Sequence, residues 1–381
     1  MNTFDILEKL ISFNTVSKNS NINLINYVTE LFNKNSIEYL LDTNKNKTKS
    51  NLLAYIGPKV NGGILLSGHT DVVPTESQKW TKPPFKLSED NGLLYGRGTA
   101  DMKSFIACSI NNLIQTKSKI LKKPLYLALS YDGEIGCVGV RSLITLMSKF
   151  KNKPEMCIIG EPTSMQIATG HKGKTGIIAE CFGKEAHSAH APLYVNSINL
   201  ASDFIVEIKK IQNKIINKHN FDSFYKIPYT TIHVGKISGG IALNIVPKYT
   251  TVNFEIRNIF SDNPIEIVKE IKSAIKIIIK EAKKVSEESE IKLKITNEYP
   301  YLETSINNEI VSFMKQITGN NNTIKVDFGT EGGLFSDKVN IPTIVCGPGS
   351  MEQGHKPDEF ISRDQINQCD KILDKISSSL M

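Results

Sequence analysis

Short apolar runs alternate with helix-like patterns through the first part of the chain. Strand-like runs lie near residues 52–56, 64–67, 124–131 and 155–160, and helical periodicity appears near 103–116 and 138–149. This alternation predicts a mixed, mostly parallel β-sheet with helices on both faces, because helices that connect parallel strands cover the sheet. In such folds the reactive groups lie at the carboxyl ends of the strands.

The pattern changes at about residue 176 and resumes after about residue 296. Between these points come a strand-like stretch (176–182), a helical stretch (195–215), two further strands and a long helix that begins at Asn263-Pro264. Asn at the N-cap with Pro in the first turn is a common helix start. We therefore predict an α/β fold made of a discontinuous main domain, residues 1–175 and 297–381, and an inserted α+β domain, residues 176–296.

Length, charge and cysteine content restrict the class of protein. A chain of 381 residues is long for one hydrophobic core, which favours two domains. The net charge of +7 is spread without a basic stripe interleaved with aromatic residues, so we expect no nucleic-acid binding. Because there is no apolar run of membrane length, no signal sequence and no Cys-x-x-Cys, we expect a cytoplasmic protein without a membrane partner.

Five side chains that bind metals lie at the ends of predicted strands or in glycine-rich loops. They are His69, Asp101, Glu134, Glu161 and His355. Asp71, two residues after His69, is placed to hold the second ring nitrogen of that histidine, as carboxylates do beside ligand histidines. Singly, these residues have ordinary interpretations, His69 as a structural histidine and Asp101 as a helix N-cap. Together, two imidazoles and three carboxylates are typical of a site for two divalent cations.

Such a set of ligands also indicates a reaction. One bridging carboxylate, with a His and a second carboxylate for each ion, leaves room for a water between the ions. Two cations lower the pKa of that water and polarise a carbonyl group. The chemistry indicated is therefore hydrolysis of an amide.

The motifs that carry these residues resemble the co-catalytic di-zinc deacetylases and peptidases. This family includes acetylornithine deacetylase, succinyl-diaminopimelate desuccinylase, aminoacylase and the carboxypeptidase G type. The resemblance spans the chain and rests chiefly on the stretches 69–74, 94–103 and 347–359. It is strongest to the acetylornithine deacetylase group, through Gln353-Gly354-His355-Lys356-Pro357.

The resemblance implies how the metal ligands divide. Two Zn²⁺ or Co²⁺ ions per subunit are expected. Asp101 would bridge them, His69 and Glu161 would complete the ligands of one ion, and Glu134 and His355 those of the other.

The resemblance also implies roles outside the metal ligands. The inserted domain is a lid and dimerisation domain in the family, so His187 is expected to reach the partner subunit's site in a homodimer and help to hold the scissile carbonyl. Substrate contacts are implied for Asn244, Arg257, Gly329 and Thr330, with Arg257 binding the α-carboxylate of the substrate. Two alternatives remain open: His187 as an ordinary loop residue and Arg257 as part of a salt bridge on a strand surface.

One position departs from the family pattern. The family has Asp-Glu-Glu, of which the first Glu is the general acid/base, where this chain has Asp132-Gly133-Glu134. Asp132 is a poor substitute, because neighbouring side chains of an extended chain point to opposite faces. Loss of a general base typically lowers the rate by ~10²–10⁴-fold. We expect Gly133→Glu to restore the rate if the position has room and a negative φ.

The sequence thus predicts a hydrolase that removes acetate from an N-acyl amino acid such as N2-acetylornithine, in arginine synthesis, and that is impaired at Gly133. The same chemistry on another N-acyl amino acid or on a dipeptide is one alternative. A catalytically silent protein that keeps the metal site for binding is another. Turnover of N2-acetylornithine with Zn²⁺ or Co²⁺ separates them.

Overall fold

The computed structural model describes residues 2–381, in two compact units. The first unit comprises the chain up to His171 together with Leu302–Met381, and the second comprises Lys172–Tyr301. The sequence pattern places these boundaries a few residues further into the insert. The difference arises because the first and last strands of the insert in chain order are longer than their apolar runs, one beginning at Gly173 and the other ending at Tyr299.

Strands and helices are numbered in chain order. The strands are β1 Glu38–Thr43, β2 Ser50–Ile56, β3 Ile64–His69, β4 Ser88–Asp90, β5 Leu93–Tyr95, β6 Leu125–Ser130, β7 Met156–Pro162, β8 Ile167–His171, β9 Gly173–Phe182, β10 Ala186–His187, β11 Thr231–Gly239, β12 Ile245–Val246, β13 Tyr249–Asn258, β14 Glu290–Tyr299, β15 Leu302–Glu303, β16 Thr323–Val326, β17 Thr343–Gly347 and β18 Phe360–Ser362. The helices are α1 Thr3–Ser12, α2 Ile22–Lys34, α3 Ser104–Thr116, α4 Val140–Ser148, α5 Ser197–Asn217, α6 Pro264–Ala282, α7 Glu309–Thr318, α8 Gly332–Val339 and α9 Arg363–Ser379.

The first unit is built on one mixed sheet. Its strands run in the order β1-β2-β6-β3-β7-β17-β8-β15, with β16 also pairing with β8. The central strands β6, β3, β7 and β17 are parallel to one another, and antiparallel pairs flank them. Every residue of β3, β6 and β17 is buried, as expected for strands covered on both faces.

Helices lie on both faces of this sheet, which confirms the predicted fold class. Helices α1, α2, α3, α7 and α9 share one apolar core with alternate residues of β2, β3 and β6. Helices α4 and α8 pack together on the other face, against β2, β7 and β17. Because β6, β3 and β7 are parallel neighbours, their carboxyl ends meet at one edge of the sheet.

The second unit is a four-stranded antiparallel sheet with two helices. The strands run in the order β11-β13-β9-β14, and α5 and α6 share an apolar core with them. Asn263 caps α6 through the backbone N–H of Ile265, with Pro264 in the first turn, as the sequence predicts. Across residues 2–381, none of the helices combines the length and apolarity that a membrane span requires.

Candidate metal centre

All five predicted metal ligands lie in the first unit, and the structure brings them together. They come from the end of β3 (His69), a distorted helical turn before α3 (Asp101), the loop after β6 (Glu134), the end of β7 (Glu161) and the loop between β17 and β18 (His355). Three of these positions follow directly from the parallel order of β6, β3 and β7.

One group of ligands, here called the His69 half-site, consists of His69, Glu161 and Asp101. His69 Nε2 lies 3.4 Å from Glu161 Oε1 and 3.3 Å from Asp101 Oδ1. All three side chains are buried, with 3–6% of their surface exposed. One ligand atom from each falls within 4.8 Å of the others, which is compatible with a shared ion.

The second group, here called the His355 half-site, consists of His355, Glu134 and the same Asp101. His355 Nε2 lies 3.1 Å from Asp101 Oδ2 and 3.1 Å from Glu134 Oε2. The two carboxylate oxygens of Asp101 therefore face different half-sites, Oδ1 towards His69 and Oδ2 towards His355. A carboxylate in this position can ligate two ions at once.

Unsatisfied buried oxygens show that the protein alone does not complete this cluster. Asp101 Oδ1 and Glu134 Oε1 are buried, and neither accepts a hydrogen bond of regular geometry; Oδ1 has only the His69 ring nitrogen, 3.3 Å away. Buried polar atoms are normally paired. Nitrogen and carboxylate donors of this kind suit Zn²⁺ and similar ions, so the residues fit two divalent cations.

Burial and neighbouring charges shift the pKa values of the carboxyl groups. Burial and the charge of Asp101 raise the pKa of Glu134 to about 7 and that of Glu161 to about 8. Burial disfavours the charged form of Asp101, yet hydrogen bonds with His355 and His69 hold its pKa well below its ordinary value. Asp101, which faces both half-sites, is thus the carboxylate that stays ionised most readily.

The pKa values of the two histidines are raised, whereas burial ordinarily lowers the pKa of an imidazole. Hydrogen bonds with Asp101 and Glu134 raise the pKa of His355 to about 10. Burial opposes protonation of His69, but the charge of Glu161 and a hydrogen bond with Asp101 raise its pKa well above the usual value. Without cations the cluster therefore retains protons, and divalent ions would displace them.

Asp71 supports the centre differently from the sequence prediction. His69 Nδ1 lies 2.9 Å from the backbone carbonyl oxygen of Asp71 and 3.6 Å from its carboxylate Oδ1, so the carbonyl is the direct partner of the ring. The carboxylate accepts hydrogen bonds from the Ser17 hydroxyl (2.6 Å) and from the backbone N–H groups of Gly133 (2.8 Å) and Glu134 (3.3 Å). Asp71 thus fixes the loop that carries Glu134 as well as the ring of His69.

Comparison with known proteins places these features in one family. The sequence profile of peptidase family M20/M25/M40 matches residues 65–379. The chain belongs to this family. An acetylornithine deacetylase of Buchnera aphidicola subsp. Acyrthosiphon pisum (strain APS) is 33% identical over 382 aligned residues, covering 98% of this chain and 96% of that protein.

Solved structures of the M20 family share the fold. A metallo-carboxypeptidase from Sulfolobus solfataricus superposes with a TM-score of 0.79 at 19% identity, covering 99% of this chain and 98% of that one. A dinuclear metal binding peptidase from Bacillus subtilis superposes with a TM-score of 0.67 at 14% identity, covering 99% and 97%. The M20 family consists of metal-dependent hydrolases, and the two half-sites of this chain are its candidate ligand groups.

Gly133 lies against His69. Its φ is outside the positive range, so the backbone condition for a larger residue is met. The space condition is not met, because a Cβ on Gly133 would lie 2.4 Å from His69 Cγ and 2.6 Å from His69 Cβ. A residue with a side chain at position 133 therefore requires His69 or the loop to move.

Asp132, the neighbouring carboxylate, is engaged elsewhere. It adopts a left-handed backbone conformation (φ 56°) and forms an ion pair with Lys49, whose ammonium group also donates to the carbonyl of Ser17. Both side chains of the pair are largely buried, at 14% and 12% exposure. Burial raises the pKa of Asp132, with Lys49 opposing the shift.

The candidate substrate residues of the second unit fall into two places. His187 and Asn244 are brought together, because β10 pairs with β12 and the backbone N–H of Ser188 donates to the Asn244 carbonyl (3.0 Å). Both side chains are exposed. Arg257 lies apart on β13, where its guanidinium group donates to the Glu255 carboxylate (2.9 Å) and to the Tyr299 hydroxyl (2.7 Å). The salt-bridge alternative for Arg257 thus describes its present contacts.

The loop before α8 holds Gly329 and Thr330 in the first unit, with Thr330 buried and its hydroxyl accepting from the backbone N–H of Gly332 (2.9 Å). The next residue, Glu331, received no role from the sequence. Its buried carboxylate accepts from the hydroxyl of Ser67 (2.5 Å) on β3 and from that of Ser130 (2.7 Å) on β6. It therefore joins the two strands whose ends present His69 and Glu134. Nothing local in the sequence indicates that Glu331 contacts these two strands.

Proposed function

We propose that this chain is a two-metal amidohydrolase of the acetylornithine deacetylase type, which removes acetate from N2-acetylornithine in arginine synthesis. One observation carries the proposal: the two oxygens of Asp101 face two separate groups of a histidine and a glutamate. The relative with that activity in its name is 33% identical across 98% of the chain. Zn²⁺ and Co²⁺ are the proposed ions, and a cytoplasmic location is proposed with them.

Some residues of the centre would bind the ions, and Asp71 would orient those that do. His69 and Glu161 would hold one ion, His355 and Glu134 the other, and Asp101 both. When bound, two such ions would lower the pKa of a water and polarise an amide carbonyl. The Asp71 carbonyl fixes the ring of His69, and its carboxylate fixes the backbone beneath Glu134, so the ligands are oriented before any ion arrives.

Substrate contacts are proposed by resemblance for four further residues. Arg257 would bind the α-carboxylate of the acyl amino acid, for which a guanidinium fork is suited. Its present partner, Glu255, would have to share or release it. Asn244, Gly329 and Thr330 would line the substrate.

His187 would act at the partner subunit's site of a homodimer, where an imidazole donor can stabilise a carbonyl oxygen. Its side chain is exposed and its Nδ1 accepts from the backbone N–H of Ala189, which leaves Nε2 to point outwards as a donor. The edge strand β11 and the following loop expose Ile237, Ile241 and Leu243, an apolar surface suited to a second copy.

A second candidate, a silent metal-binding member of the family, is favoured by position 133. The general base of the family is absent there, and a Cβ would overlap His69. Asp132, the adjacent carboxylate that is not a candidate metal ligand, is held in an ion pair with Lys49. The protein would then keep the metal ligands without rapid turnover.

Turnover distinguishes the candidates. Purified protein loaded with Zn²⁺ or Co²⁺ would be assayed for amine release from N2-acetylornithine, other N-acetyl and N-succinyl amino acids, and dipeptides. The proposal expects slow release that is greatest with N2-acetylornithine and abolished by Asp101→Ala. Release that is greatest with a dipeptide or a succinyl compound would overturn the substrate assignment, and none with any substrate would favour the silent protein.

A further inference from the structure

The segment 78–82 forms hydrogen bonds with the loop that carries His355. Gln78 Nε2 donates to the backbone carbonyl of His355 (2.8 Å). The Asp358 carboxylate accepts from the backbone N–H of Thr81 (2.9 Å), the Thr81 hydroxyl (2.9 Å) and the backbone N–H of Lys82 (3.2 Å). Two independent sets of hydrogen bonds thus fix both ends of the short loop from His355 to Asp358.

His355 needs such support more than the other ligands do. Its side chain is 49% exposed, whereas those of Asp101 and Glu134 are 3% and 9% exposed, so packing contributes little to holding it. Its backbone is left-handed (φ 62°), as is that of Asp358 (φ 53°). Non-glycine residues in this region cost free energy and persist only where surrounding contacts impose them.

A buried ion pair between Arg97 and Glu359 connects Gln78 to Asp101. Glu359, 1% exposed, accepts from Arg97 Nη1 (2.7 Å) and from the backbone N–H groups of Gly98 (3.0 Å), Ala100 (2.8 Å) and Asp101 (3.0 Å). Arg97 Nη2 donates to Gln78 Oε1 (2.5 Å). Gln78 therefore connects, through one amide group, the loop of His355 with the loop of Asp101.

We propose that Gln78 is a positioning residue for the His355 half-site: its amide sets the backbone of His355 against Arg97 and Glu359, and thereby sets the affinity for one of the two ions. This inference rests on the proposed two-metal function. Among the hydrogen bonds of residues 2–381, Gln78 has none to His69 or Glu161 and reaches their half-site only through the shared Asp101, so the affinity of the His69 half-site should change less. Partners that orient metal ligands typically contribute ~10–100-fold in affinity.

The test isolates each half-site in turn. Zn²⁺ affinity is measured by competition with a chromophoric chelator in the His69→Ala and His355→Ala backgrounds, each with and without Gln78→Ala. We expect Gln78→Ala to weaken the remaining ion by roughly 10–100-fold in the His69→Ala background. In the His355→Ala background the remaining ion, which depends on Gln78 only through Asp101, should be weakened less.

Two further variants separate positioning from general damage. Gln78→Glu keeps an acceptor for Arg97 and removes the donor to the His355 carbonyl, so it should weaken the same ion as Gln78→Ala does. Glu76→Ala, two residues before Gln78, removes an exposed ion pair with Lys18 and should change neither affinity. The melting temperature without metal checks that each variant folds.

The outcomes are distinct. Equal weakening of both ions by Gln78→Ala, or no weakening in the His69→Ala background, would overturn the positioning role. Normal affinity in Gln78→Glu would also overturn it, because the donor would then be dispensable. Binding of fewer than two ions by the unmodified chain would count against the proposed function itself.

Discussion

The imidazole of His69 stands where a side chain at position 133 would begin, with His69 Cγ 2.4 Å from the place of a Cβ on Gly133. The candidate ligand His69 and the position where the family's base is expected are therefore coupled. A histidine ring that binds an ion has a fixed orientation, so an obstacle at its base displaces the ring.

The first prediction concerns Gly133→Ala, which adds only that Cβ. It should weaken metal binding at the His69 half-site by roughly tenfold or more, as expected when a ligand is misoriented. Gly235→Ala is the matched control, because a Cβ there meets nothing closer than 3.6 Å and should leave affinity unchanged. Metal competition titrations compare the two, and unaltered affinity in Gly133→Ala would show that the loop adjusts freely.

Gly133→Glu carries the same Cβ as well as a potential general base. The sequence alone favours recovery of ~10²–10⁴-fold in rate, the usual contribution of such a group. The structure favours little recovery, because the ring of His69 must move before the carboxylate can take its place. Rates are compared at equal metal content; recovery by 10²-fold or more would mean that the loop opens at small cost.

A third prediction concerns the metal ligands. His355→Ala and His69→Ala should each reduce the bound ions from two to one, and Asp101→Ala should weaken both, because only Asp101 faces both half-sites. His190→Ala, an exposed histidine of the second unit, is the control. Elemental analysis after dialysis gives the ion content, and retention of two ions in His355→Ala would remove this residue from the site.

Removal of metal should make stability fall as pH rises. Without ions, the folded chain holds the pKa of Glu134 at about 7, of Glu161 at about 8 and of His355 at about 10, above the ordinary 4.5 and 6.5. Each group stabilises the fold fully below its unfolded pKa, and that contribution is lost as pH rises through the folded value. The melting temperature in EDTA should therefore decline between about pH 4.5 and about pH 10, while the increment from Zn²⁺ grows. An increment that shrinks with pH would contradict this.

A fifth prediction concerns assembly. If β11 joins two copies, the unmodified chain should sediment as a homodimer, and Ile237→Asp, a charge on that exposed edge, should shift it to monomers. Ile306→Asp, at an isoleucine of similar exposure in the first unit, should remain dimeric. His187→Ala should lower turnover and leave the metal content unchanged. Monomers of the unmodified chain at micromolar concentration would exclude a role for His187 across subunits.

Much of this fold follows from local pattern. The apolar run before His69 predicts a buried strand, and Asn263-Pro264 predicts the start of α6; both are present. The five candidate ligands could be identified from the sequence. Four of them stand next to a glycine, and the fifth, Asp101, follows a glycine-rich loop. Parallel strands then bring their carboxyl ends together. These features depend on residues that are near one another in sequence.

Other features depend on contacts that pattern does not reveal. Asp71 was expected to orient His69 through its carboxylate, but a turn places its own carbonyl closer and leaves the carboxylate for the loop of Gly133. Gln78 carries no motif, and its bond to His355 spans 277 residues of sequence. The lack of room at Gly133 likewise arises from His69, which lies more than sixty residues earlier in the chain. The sequence shows that position 133 lacks a side chain, but it does not show whether the space is filled.

The most direct test of the account is the steady-state deacetylation of N2-acetylornithine by the unmodified chain with both half-sites filled, compared with an M20 deacetylase that retains Asp-Glu-Glu. Ion content is matched by elemental analysis before the assay. With its ligands intact and its base absent, the chain should bind two ions and turn over ~10²–10⁴-fold more slowly. A rate equal to that of the relative at full occupancy would contradict the account, since another group would then have to move the proton.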